Sequence, residues 1–253
     1  MADNPRIRPV EAFPVQQDGK SIIYLKDPLN FATPLGISPV GYFVLAHFDG
    51  SHSFMEIQAA YSKRFGTPLM THELKQFVEM LDQHYYLQSE RFEKYQQNVI
   101  AEFCRLPTRT AAHVGGGYKS DPVELTVQLD NYFNSPKGPG LPSAVNSAAP
   151  PKAIVAPHID FHRGGPAYAW AYKPLVESDG ADLYIILGTS HCGGQTPYIL
   201  TQKSFETPLG LVETDGEFVN RLQGKCADDC FSDEYLHRGE HSIEFQVLFL
   251  KYI

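Results

Sequence analysis

Little in this 253-residue chain is basic, and that scarcity removes whole classes of function. Lys+Arg number 21 against 29 Asp+Glu, for a formal net charge of −8. A surface of that sign gives no electrostatic footprint for nucleic acid or an anionic membrane. Four cysteines, at 104, 192, 226 and 230, are too few for a disulfide scaffold in a chain this long. No run approaches the 18 or more apolar residues of a membrane span. The first residues lack the apolar core of a secretory signal. A cytoplasmic protein is expected. Phosphate-binding glycine loops are also missing: neither Gly-x-x-x-x-Gly-Lys-Ser/Thr nor a strand-placed Gly-x-Gly-x-x-Gly occurs. No internal repeat is visible.

What is present reads as two parts. Residues 21–26 have strand character. Ser38-Pro39 opens a helix, with a serine cap and proline at the first helical position, and Val40, Phe43, Val44 and Phe48 fall on one face. Ser53-x-x-Glu56 is a capping box for a second helix that stops at Gly66. Thr71 is expected to cap a third, with Leu74, Phe77, Val78 and Leu81 inward. Tyr85-Tyr86-Leu87 returns to strand. The expectation is a small winged-helix-like α+β domain over residues 1–104. That segment holds 9 Lys+Arg and 12 Asp+Glu, a net of 9 − 12 = −3, which disfavours phosphate binding.

Residues 134–150 are rich in Pro, Gly, Ser and Ala, a flexible composition. From 153 the pattern is α/β. Apolar runs at 153–156 and 183–187 read as parallel strands, joined by a crossover helix near 165–177 that Pro174 is expected to shorten. Residues 198–201 and 209–212 read as two more strands, and 241–252 as a helix.

Each of the first two runs ends in a histidine, His158 and His191. A single histidine at a strand end is more often a hydrogen-bonded structural residue. Two at equivalent ends of consecutive parallel strands share one sheet edge, where α/β proteins bind ligands. Imidazole is the commonest protein metal ligand. His158 and His191 are therefore the candidate metal ligands. Glu240-His241-Ser242-Ile243-Glu244 opens the last helix; Glu240 and His241 are candidate catalytic groups facing a cleft, orienting a ligand or acting as base. Asp160, His162 and Arg163 are either supporting groups for that site or a surface ion pair. Cys192 reads as a buried spectator thiol, and Cys226-x-x-x-Cys230 lacks metal partners at useful spacing.

Five separated motifs together resemble the Memo family. They are Arg109-x-Ala-Ala-His113-x-Gly115-x-x-x-Tyr118, Ala156-Pro157-His158, Leu187-Gly188-Thr189-Ser190-His191, Thr207-Pro208-Leu209-Gly210 with Asp215, and Glu240-His241-Ser242-Ile243-Glu244. Residues 20–90 resemble the PqqD-like domain, a peptide-holding adaptor for radical-SAM enzymes. The helix before Phe48-Asp49-Gly50, Ser53-x-x-Glu56-Ile57 and Phe77-Val78-x-x-Leu81 carry that likeness. Their fusion is similar to the bacterial members named AmmeMemoRadiSam system protein B.

The resemblance moves the domain boundary to about residue 105, so 134–150 becomes a loop inside the second domain. It implies a partial mixed or parallel sheet of the class III extradiol dioxygenase-like type. It also implies a non-haem iron or copper site in which His158 and His191 are joined by a cysteine much further along. The chain would then be a partner of a radical-SAM protein or a peptide. The alternatives are a non-enzymatic adaptor and an inactive fragment. Departures accompany the match. None of the four cysteines corresponds to the ligand cysteine. The chain ends at Ile253, so it is expected to hold two of three ligands. It is also expected to expose a stripe of Phe245, Leu248, Phe249 and Tyr252 and self-associate through it.

Overall fold

A computed structural model describes residues 4–143 and 151–253. Residues 144–150, the later part of the segment whose composition reads as a flexible loop, lie outside the described residues. The chain is a mixed α/β protein with small sheets and eight α-helices among the described residues. It packs as two compact units, Met1–Glu102 and Phe103–Ile253.

The first unit begins with three antiparallel strands in the order β1 (Glu11–Gln17), β2 (Lys20–Lys26), β3 (Leu35–Ile37). Asp18 and Gly19, both at positive φ, make the tight turn between β1 and β2. Three helices follow: α1 (Pro39–Leu45), α2 (Phe54–Phe65) and α3 (Thr71–Gln83). Their starts obey local chemistry. Ser38 accepts from the Gly41 N–H, and Ser53 and Glu56 form the reciprocal box. Gly66 closes α2 at φ +73°, a left-handed cap that glycine adopts without penalty. Thr71 is not the cap of α3. It is the first helical residue, and Glu73 takes the Met70 N–H. Leu25, Val44, Phe48, Ile57, Leu74, Leu81 and Tyr86 build the core. Inside it Arg8 pairs with Asp27 at 2.9 Å, with its guanidinium over the Phe92 ring. No helix among the described residues is long and apolar enough to cross a membrane.

Helix α4 (Glu90–Arg105) leads into the second unit. A three-stranded sheet there joins β4 (Thr108–Arg109), parallel, to β5 (Ser204–Thr207), and β5, antiparallel, to β6 (Gly210–Val212). Its helices are α5 (Pro122–Asn134), α6 (Phe161–Val176), α7 (Gly216–Gln223) and α8 (His241–Tyr252), with a short 3-10 helix over Glu234–Arg238. Helix α6 starts four residues earlier than the periodicity suggested and runs through both Pro166 and Pro174. Each proline removes a backbone donor. Buried Phe161, Tyr168, Ala169 and Tyr172 hold the helix against the core regardless.

Two expectations are corrected. The apolar runs 153–156 and 183–187, and also 198–201, carry no strand ladder among the described residues. Apolarity and β-branching favour extended backbone, but a strand exists only where a neighbour supplies hydrogen bonds. The apolar stripe of α8 is not exposed either. Phe245, Leu248 and Phe249 are buried against α5 and α6, with Phe249 stacked on Tyr168 at 5.0 Å. The large exposed apolar side chains lie on the unpaired runs instead: Val155 is 97% exposed and Leu187 86%.

Candidate functional site

Helix α8 is the hub of the second unit, and its first turns carry the reason. Ser242, Glu244, Phe245, Gln246, Val247, Leu248 and Phe249 are all buried, so this helix is enclosed on nearly every side. A buried polar side chain must find partners. Those on α8 find them on three separate loops, and each loop carries a histidine.

Glu244 collects the loop after β4. Its carboxylate lies 2.6 Å from the Arg109 guanidinium and accepts from the Ala112 and His113 N–H groups and the Tyr118 hydroxyl. Both side chains of the ion pair are 1% exposed. Arg109 also donates to the carbonyls of His237 and Glu240, at 2.6 and 2.8 Å. Burial raises the Glu244 carboxyl, but Arg109 and the donors around it win and hold it below the usual range. Burial and the adjacent carboxylate push the Tyr118 hydroxyl well above its ordinary value. The loop so anchored places His113 beside α8, where its Nε2–H donates to the Gly239 carbonyl.

Gln246 collects the second loop. Its amide donates to the Pro157 carbonyl at 2.9 Å while Tyr172 donates back to its oxygen at 2.9 Å. His158 follows directly. Ser242 collects the third: its hydroxyl accepts from the Thr189 N–H at 2.9 Å and donates to the Thr189 carbonyl at 3.0 Å. Gly188 makes that approach possible. A Cβ there would stand 2.5 Å from Ile243 and 2.6 Å from the Ser242 hydroxyl, closer than any real side chain sits. His191 comes next.

Glu240 completes the arrangement as the N-cap of α8, accepting from the His241 and Ser242 N–H groups. It also accepts from the backbone N–H of His191 and faces that ring's Nδ1 at 3.0 Å. Burial raises the Glu240 carboxyl, and against it the His191 and Ser242 N–H groups and the His191 ring bring it down to about 2. Burial lowers the affinity of His241 for a proton, an effect the neighbouring histidines reinforce and Glu240 opposes.

His158, His191 and His241 thus stand together. One possible ligand atom from each lies within 4.8 Å of the others. The His158 and His191 rings are 5.2 Å apart, and those of His191 and His241 stack at 4.5 Å. His241, expected as a cleft residue that orients a ligand or acts as base, also brings a ring nitrogen to the His158–His191 pair. The helical period could not show this, because it does not say which loop meets the start of α8. Glu240 lies against His191, with its side chain 10% exposed.

The other candidates are not among the three grouped ligands. Asp160 and Arg163 form an exposed pair at 2.8 Å on the first turn of α6. Cys192 is exposed, not buried as its alternation predicted. Cys226 and Cys230 are free thiols. Thr207 donates to the Gly210 carbonyl across the β5–β6 turn, and Asp215 caps α7, so both family-like motifs serve the framework here. Sequence reasoning missed the buried Arg109–Glu244 pair. Its signal was an arginine heading an Ala- and Gly-rich segment and a glutamate at the edge of the mostly apolar stretch Phe245–Leu250, where a lone charge cannot be buried.

The Memo-like protein family matches residues 109–253 of this chain. A MEMO1 family protein of Aquifex aeolicus is 29% identical over 245 residues, covering 96% of this chain and 62% of the relative. A MEMO1 family protein of Methanopyrus kandleri is 39% identical over 149 residues, covering 57% of this chain and 52% of its own. One of Sulfolobus acidocaldarius is 37% identical over 150 residues, with 57% and 52% covered. The chain therefore spans about half to three fifths of the length of these relatives.

Proposed function

Since this chain belongs to the Memo family, we propose that its second unit binds one transition-metal ion through His158, His191 and His241, with iron the first reading and copper the second. The convergence of three imidazoles from two loops and a helix start carries that reading. The donor set fits. Neutral imidazole suits iron, copper and zinc alike. Burial of His241 favours its neutral form, which is the form that binds metal. The resemblance implied a thiolate as third ligand, and copper rested on it. Among the described residues no cysteine joins the cluster, and His241 supplies the third donor instead.

When bound, the ion would supply Lewis-acid activation of an oxygen-rich substrate or of O₂, the chemistry of a dioxygenase-like oxidoreductase. The protein's share is positional. Gln246 and Ser242 hold the two histidine loops on α8, and Glu240 holds the ring of His191. An apolar cleft of about 680 Å³, lined by Leu187, Tyr198, Phe218 and Leu222 among others, also touches Glu240 and offers room for an organic substrate. Titration of the whole chain with Fe(II) under anaerobic conditions, or with Co(II) as a spectroscopic probe, should saturate at one ion per chain. Uptake that does not saturate, or that survives in His158→Ala and His191→Ala alike, would overturn the reading.

A second reading concerns the first unit as a PqqD-like adaptor for a peptide or a radical-SAM protein. β1 favours it: this strand forms an edge of its sheet and every residue of Glu11–Gln17 is exposed, the geometry that accepts an added strand. Amide shifts along β1 on adding such a peptide would support it, and shifts elsewhere with none on β1 would refute it.

A further inference from the structure

Glu240 makes more contacts than a helix cap requires. A capping side chain needs to satisfy the first N–H groups of its helix, which Oε1 does for His241 and Ser242 at 2.8 and 2.9 Å. The same carboxylate also faces Nδ1 of His191, at 3.0 and 3.1 Å from its two oxygens, while Oε2 accepts the His191 backbone N–H at 3.0 Å. Nδ1 of His241 lies 3.3 Å from Oε1. The two imidazoles stack with an angle of 25° between their planes, and both present Nδ1 to this one group. The backbone of Glu240 is fixed in turn, because Arg109 donates to its carbonyl.

We propose that Glu240 is a positioning residue that locks His191 in its Nδ1–H tautomer and holds the His191 and His241 rings ready for a shared ion. An ionised carboxylate only accepts hydrogen bonds. The His191 nitrogen facing it must therefore carry the proton, which leaves the Nε2 lone pair for a ligand bond. Carboxylate partners of this kind orient metal-binding histidines and raise their basicity, and losing one typically costs 10- to 100-fold in metal affinity. The metal consequence rests on the site proposed above. The tautomer does not, since it is a property of the metal-free protein.

Glu240→Asp separates the two roles. Aspartate is a good N-cap, so α8 should persist, but its side chain is one methylene shorter and cannot cap α8 and reach the His191 ring together. Long-range ¹⁵N–¹H spectra of the metal-free chain at about pH 8, above the ordinary imidazole value, read the tautomer directly. His191 should be Nδ1–H in the parent protein and lose that preference in Glu240→Asp, with unchanged circular dichroism. Glu240→Gln, whose side-chain oxygen still accepts, should largely keep it. Affinity for Co(II) should fall ~10- to 100-fold in Glu240→Asp and recover in part in Glu240→Gln. An Nδ1–H signal that survives in Glu240→Asp, or a parent His191 protonated on Nε2, would overturn the proposal and leave Glu240 a cap alone. A tautomer lost as expected while neither protein takes up metal would support the positioning role and sink the metal reading instead.

Discussion

Glu244→Ala should unfold the second unit while leaving the first intact. The substitution strands the Arg109 guanidinium in a site where it is 1% exposed, and it orphans the Tyr118 hydroxyl and two backbone N–H groups as well. Breaking a buried ion pair by removing one partner costs about 3–5 kcal/mol. Whole domains have only about 5–15 kcal/mol to lose. In urea, the transition followed by Trp170, the chain's one tryptophan and part of the second unit, should shift strongly or vanish. Amide protection on α2 and α3 should be unaltered. Tyr118→Phe, which removes one hydrogen bond to a charged acceptor, should cost about 1.5–3 kcal/mol and stay folded. A loss for Glu244→Ala below that of Tyr118→Phe would show that the pair is not what joins the 109–118 loop to α8.

The same carboxylates set an acid limit. Glu240 and Glu244 both have folded-state values below the 4.5 of a free glutamate, and Glu240 reaches about 2. A depressed carboxyl stabilises the native state fully above its unfolded value and loses that contribution as pH falls through its folded one. Stability of the second unit should therefore decline between pH 4.5 and about 2. Glu240→Gln should flatten the curve across that window, and an identical slope in parent and variant would contradict the assignment.

At the proposed three-histidine site, His241→Ala should abolish tight metal binding as completely as His158→Ala should. If the ion needs a third ligand from a distant cysteine, His241 would be dispensable and its removal would cost little. The cluster places it as an equal: its ring stacks on His191 at 4.5 Å and lies 5.7 Å from that of His158. Loss of a direct ligand should exceed the ~100-fold upper range for partners one bond further out. Competition against a chelator in the whole chain measures this, with circular dichroism as the control for folding. Affinity within about 10-fold of the parent protein, below what a direct ligand is worth, would remove His241 from the donor set.

Sequence and tertiary structure divide this protein along a physical line. Ser38-Pro39, Ser53-x-x-Glu56 and Gly66 were legible because a helix end is satisfied by residues a few positions away, so local order carries the information. His158 and His191 were legible as a pair because each follows a similar apolar run, and the five motifs around them were enough to indicate the family. The runs themselves were misread as paired strands, since a ladder depends on a neighbour that periodicity cannot name. The place of His241 was undecided for the same reason. Residues 158, 191 and 241 are far apart along the chain, and what gathers them is the burial of α8. Enclosed on nearly all sides, that helix had to satisfy Ser242, Glu244 and Gln246 from surrounding loops, and only the packed structure decided that those loops carry the histidines.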